Sequence, residues 1–156
     1  MQEVIKILTE KNKTIATMES CTGGGVANAI TNIEGASEIL KFSAVTYSNE
    51  YKIKMGVNSD TIDKYSVYSI EVAREMAFNI SKFADSNYGV GITGKLNRVD
   101  IHNPYGEDNI TYVAIYDRDY DKYYTLNVEA TEASRTLNKD LIINKIEDKL
   151  LEIISR

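Results

Sequence analysis

The chain has 156 residues, enough for one sizeable core, and its hydrophobic share of 43% and charged share of 26% are those of an ordinary folded domain. A formal charge of -5 opposes non-specific binding to a phosphate backbone, and no run approaches the roughly 18 apolar residues needed to cross a bilayer, so neither nucleic acid nor a membrane is an expected partner. A single cysteine cannot form an internal disulfide, and the amphipathic start (Val4, Ile5, Leu8) lacks the apolar core of a signal peptide, which together predict a cytoplasmic protein.

In chain order, residues 2–12 are predicted helical, and 14–18 form a short β-branched run that stops at Ser20-Cys21-Thr22-Gly23-Gly24-Gly25. This turn opens a second helix over about 24–32, where Ala27 and Ala29 permit close approach to a sheet. A short helical piece is expected over 37–41 and a strand over 42–47. A helical turn over 49–55, stopped by Gly56, and a short helix over 60–64 capped by Asp60 follow. Residues 69–84 form a longer helix. Ser69 with Glu71 and Val72 resembles a capping box there, and Ala73, Met76, Ala77, Ile80 and Phe83 make one apolar stripe.

Residues 88–93 are predicted to be a strand with two glycines and 95–109 a polar loop, after which 110–117 and 122–130 form a hairpin. Leu137, Leu141, Ile142, Ile146, Leu150 and Ile154 recur at helical spacing over about 133–155. The whole order predicts an α/β fold in a single domain over 1–156. It is a three-layer sandwich whose mixed, mostly parallel sheet is covered by helices, with a C-terminal hairpin plus long helix.

Ligands in such sheets bind beyond strand ends, and the first such loop is the Ser20 turn. A strand running into this turn and then a helix aims free backbone amides at one point, with the helix dipole behind them. That suits an anion or a transition-state oxyanion. Ser20 and Cys21 are adjacent candidate nucleophiles; Ser20 could equally cap the helix and Cys21 be a small buried hydrophobe. His102, the one histidine, lies in the polar loop and is a poor base candidate, whereas Tyr47 at a strand end and Lys52 one helical turn further offer another. Lysine takes a serine proton only when desolvation or a nearby cation lowers its pKa. No ligand spacing for a metal is present, so a metal-independent site without a cofactor is expected.

The run Ala16-Thr17-Met18-Glu19-Ser20-Cys21-Thr22-Gly23-Gly24, followed by Val45-Thr46-Tyr47-Ser48-Asn49-Glu50-Tyr51-Lys52, resembles the C-terminal domain of the CinA family. Gly35-Ala36-Ser37, Gly56-Val57, Ser69 with Glu71-Val72-Ala73, and Ile92-Thr93-Gly94 extend the resemblance in order over most of the chain. Members of that family with demonstrated activity hydrolyse the carboxamide of nicotinamide mononucleotide to nicotinate mononucleotide and ammonia.

The resemblance implies that Ser20 is the nucleophile, with Tyr47 and Lys52 as its partners. It implies a small nucleotide as ligand, with Thr22, Gly23, Gly24, Asn49 and Thr93 in the binding set, and a homodimer. Arg135 and Lys139, where the family has an arginine-rich start to its last helix, would share a helical face and hold the 5′-phosphate. The chain departs from the family after Gly94, reading Lys95-Leu96-Asn97-Arg98-Val99-Asp100 in place of a Pro- and Gly-containing segment, and at Ser66-Val67-Tyr68-Ser69. These departures leave open an amidase for another small amide and a nucleotide-binding protein without turnover, and the adjacency of Ser20 and Cys21 leaves open a thiol hydrolase using Cys21.

Overall fold

Side-chain alternation along β1 (Ile15–Glu19) divides the core, because Ile15 joins one apolar cluster while Ala16 and Met18 join another on the opposite face. The computed structural model describes all 156 residues and orders five strands β2-β1-β3-β4-β5, with β2 at Leu40–Val45, β3 at Tyr88–Gly94, β4 at Ile110–Asp117 and β5 at Lys122–Glu129. β1 pairs in parallel with β2 and β3, and β3–β4 and β4–β5 are antiparallel, so the sheet is parallel at one end and a meander at the other.

On one face, α1 (Gln2–Glu10), α2 (Gly25–Thr31) and α6 (Arg135–Ile154) bury Leu8, Ile30, Ile142, Ile146 and Leu150 against Ile15, Val90 and Ile115. On the other, α5 (Ile70–Ala84) buries Val72, Met76 and Ile80 against Ala16 and Met18. Two glycines of β3 set that distance. A Cβ at Gly89 would lie 2.0 Å from the Ala77 carbonyl oxygen, and one at Gly91 2.2 Å from that of Ala73, so only glycine lets the α5 backbone sit this close.

Several sequence expectations shift. The short α4 (Ser59–Tyr65) is capped by Asn58, whose side chain accepts from the Asp60 backbone N–H, so Asp60 lies inside the helix rather than capping it. Ser69 caps α5 by accepting from Val72 N at 3.2 Å, but Val72 stands at the position where a capping box needs Glu or Gln. Phe83 leaves its expected core stripe and is exposed against Phe42, their rings 5.0 Å apart, because the last turn of α5 runs past edge strand β2. Leu137, in the first turn of α6, is likewise exposed, and Asn138 takes the buried position beside it. Ala27 and Ala29 are half-buried on α2, and at Gly25 a Cβ would meet the end of the Ile143 side chain of α6 at 2.9 Å.

Candidate active site

The chain leaves β1 for β2 on one side and returns to β3 on the other. The segments following these three parallel strands, the Ser20 turn, Thr46–Ser48 and Gly94–Lys95, therefore meet at one edge of the sheet. A cavity of about 640 Å³ opens there, lined by Ser20, Tyr47, Asn49, Lys52, Tyr68, Gly94, Lys95, Arg98, Asp100, His102 and Arg135 among others.

The turn is shaped from within. Gly23 and Gly24 adopt φ of 62° and 93°, the left-handed region that glycine enters freely. The fully buried Glu19 carboxylate accepts from Val26 N and Ala27 N, both at 2.9 Å, and from Thr22 Oγ1 at 2.7 Å and Thr17 Oγ1 at 3.1 Å. The anion expected at the start of α2 is thus supplied by the protein itself, which corrects the picture of a free helix terminus waiting for a ligand. Gly23 N is also used, donating to Ser20 O at 2.9 Å. The backbone N–H groups of Cys21, Thr22 and Gly24 donate to no protein acceptor.

Ser20 and Cys21 part company at this turn. Ser20 faces the cavity, while Cys21 is 2% exposed in the core cluster, with Sγ 3.9 Å from Thr111 Oγ1 and burial pushing its thiol up to about 11. Burial of the thiol away from the cavity and its raised pKa both count against the thiol hydrolase alternative.

Lys52 is carried by α3 (Asn49–Lys54), whose N-cap Ser48 accepts from Tyr51 N at 3.2 Å. It is 3% exposed, with Nζ 3.0 Å from Ser20 Oγ and donating to the Thr46 carbonyl at 2.7 Å. No carboxylate pairs with it, and burial lowers its pKa to about 8. A lysine with that ionisation, in hydrogen-bond reach of a serine hydroxyl, can accept its proton near neutral pH.

The remaining expected site residues are placed unequally. Tyr47 lines the cavity, but its hydroxyl accepts from Arg135 Nη2 at 3.3 Å and bonds neither Ser20 nor Lys52. Asn49 lines it and donates to Asn103 Oδ1 at 2.8 Å. Thr93 does not reach it, because its hydroxyl is committed to the Val67 carbonyl at 2.9 Å in the core. Thr22 is spent on Glu19 and lines a separate groove between α2 and α6. Lys139 lines that same groove and lies over Gly23, so it and Arg135 face different hollows although they are one helical turn apart.

The 95–109 loop supplies what residue spacing did not suggest. The Lys95 side chain is 1% exposed, and its ammonium donates to Asp108 Oδ1 at 2.8 Å and to the carbonyls of Gly106 at 3.1 Å and Pro104 at 3.5 Å, fastening the loop to its own stem. Asp100 accepts from Tyr68 Oη at 2.5 Å and from Asn103 Nδ2 at 3.1 Å, and the tyrosine bond holds its carboxyl down at about 2. His102, discounted from sequence, does line the cavity, but it makes no contact with Ser20 that would make it the base.

The sequence profile of the CinA C-terminal domain matches residues 1–139. A competence-damage inducible protein of Alkaliphilus oremlandii is 49% identical over 96 residues, 60% of this chain and 23% of that one. A protein of the same name from Clostridium kluyveri is 40% identical over 120 residues, 76% and 29% respectively. The chain spans about a quarter of the length of these curated relatives. The crystal structure of the competence/damage inducible protein CihA from Agrobacterium tumefaciens superposes with a TM-score of 0.87 at 25% identity, covering 99% of this chain and 92% of that one. A CinA superfamily protein from Klebsiella pneumoniae shares the fold at a TM-score of 0.87 and 21% identity, covering 99% and 94%. No helix is long and apolar enough to cross a membrane.

Proposed function

The chain belongs to the CinA C-terminal domain family, and from that premise we propose that it is a serine/lysine amidase acting on the carboxamide of nicotinamide mononucleotide. The observation that carries the reading is the 3.0 Å approach of an unpaired, buried Lys52 ammonium to the Ser20 hydroxyl at the floor of the cavity.

Lys52 in its neutral form takes the Ser20 proton as Oγ attacks the carboxamide carbon. The oxyanion is assigned to the amides that follow Ser20 in the turn, those of Cys21, Thr22 and Gly24, which have no acceptor within the protein. Collapse expels ammonia with the proton returned by Lys52. Water, deprotonated by the same lysine, then cleaves the acyl-serine to give the carboxylate and free Ser20. Arg135, in the first turn of the 20-residue α6 and tethered by Tyr47 and the Lys95 carbonyl, is the cation for the 5′-phosphate.

Ammonia release from nicotinamide mononucleotide by the purified chain tests this directly. Turnover is expected, Ser20→Ala is expected to abolish it, and Cys21→Ala to retain most of it. Binding of the nucleotide without ammonia release would overturn the amidase reading in favour of a nucleotide-binding protein.

A further inference from the structure

Three of the five arginines are occupied within the protein: Arg118 pairs with Asp85, Arg156 with Glu152, and Arg74 stacks on the Tyr123 ring. The two without an anionic or aromatic partner, Arg98 and Arg135, are the two that line the cavity. They are also neighbours. The Lys95 carbonyl accepts from Arg135 Nη1 at 3.4 Å and from the Arg98 backbone N–H at 3.3 Å, so the guanidinium of one and the main chain of the other meet at a single oxygen.

No acid makes an ion pair with either guanidinium: Asp100, the cavity's one carboxylate, stays ionised but has its oxygens taken by Tyr68 and Asn103, and Asp108 is bound to the Lys95 ammonium. Arg98, on a loop fastened by a buried cation, and Arg135, on α6, thus line one cavity with two cationic side chains that have no anionic partner, an arrangement that an incoming anion completes.

We propose that Arg98 completes, with Arg135, a two-arginine clamp for a phosphate monoester at the mouth of the Ser20 cavity. Arg98 is then a specificity-determining residue contributed by the loop that departs from the family. The assignment rests on the nucleotide reading only for the identity of the ester, since the clamp grips the phosphate and not the amide. Guanidinium forks match phosphate oxygens in pairs, so two of them favour a dianionic terminal group over a carboxylate or an uncharged sugar.

Calorimetric titration of the full chain with ribose 5-phosphate, a probe that has no amide, tests the clamp apart from the chemistry. Binding is expected for the phosphate and not for ribose. Arg98→Ala is expected to weaken it about ten- to a hundredfold, Arg98→Lys less, and Arg135→Ala at least as much as Arg98→Ala. The Arg98 side chain bonds nothing in the protein, so its removal leaves the fold intact. Unchanged affinity in Arg98→Ala beside a loss in Arg135→Ala would overturn the proposal, as would a wild-type chain that ignores ribose 5-phosphate while hydrolysing an uncharged amide. Arginine-dependent binding without any ammonia release would keep the clamp and remove the amidase.

Discussion

Lys52 and Lys95 are both buried where they line the same cavity, and their surroundings suit one to reaction and the other to structure. Lys95 meets a carboxylate and two carbonyls, so its charge is balanced where it lies and its work is to hold the 95–109 loop. Lys52 meets one carbonyl and the Ser20 hydroxyl, with no anion in contact, and burial alone lowers its pKa to about 8. Burial is nearly equal for the two. The presence or absence of a partner carboxylate decides whether a buried ammonium is a strut or a base.

The sharpest way to break this contrast is to remove the proposed base. Lys52→Met should lower kcat by about 10² to 10⁴ with little change in KM, because a general base acts only as the proton moves. The wild-type rate should rise with pH through about 8 as Lys52 loses its proton. A loss confined to KM would make Lys52 a binding residue.

The same substitution should stabilise the protein. A lysine whose folded pKa lies below its unfolded value carries a penalty that is complete below about pH 8, shrinks as pH rises toward 10.5 and vanishes above it. Lys52→Met should therefore gain on the order of 2 kcal/mol in unfolding free energy at pH 7 and nothing at pH 11, measured by urea unfolding at both. Equal gains at both would mean that the benefit is packing rather than charge.

Lys95→Met should behave oppositely. The exposed Asp108 and Gly106 can turn to water, so the expected loss is about 1 to 2 kcal/mol, with KM raised about tenfold and kcat kept. Amide hydrogen exchange should quicken across 95–109. A kcat loss as deep as that of Lys52→Met would erase the distinction between the two lysines. The smallest effect belongs to Tyr47→Phe, which removes one 3.3 Å bond to the Arg135 guanidinium and should cost only a few-fold in kcat/KM. A collapse of kcat there would restore Tyr47 to the proton path.

The alternation of helix and strand periods made the element order legible, because apolar spacing at 3.6 and 2 residues survives even where single positions do not. Phe83 and Leu137 fit a helical stripe by spacing, yet both sit in terminal turns that overhang the sheet, and spacing carries no information on where a partner surface ends. Ser20 and Lys52 stood out by residue type next to a strand end. The segments of Tyr68 and of Lys95 to Asp100 stood out only as departures from the family, and the wall they build was not legible, since its charges are interleaved with polar residues and nothing local marks Lys95 as buried. For Glu19 a signal did exist: an acid closing a five-residue strand of otherwise uncharged side chains, one position before the turn, is poorly placed to reach water. The glycines drew attention to the amides and away from the acid that uses them.

Glu19 has a consequence for how a ligand arrives. A phosphate-binding loop that relies on its guest to neutralise a helix terminus is disordered or strained when empty, and association then waits on loop ordering. In this protein the helix terminus is already neutralised by a side chain of the preceding strand, through four hydrogen bonds made during folding. The turn bearing Ser20 therefore has its helix terminus satisfied before any ligand arrives. If the proposed nucleotide binds there, its rate of association should respond to ionic strength and not to the time scale of a rearrangement at Ser20.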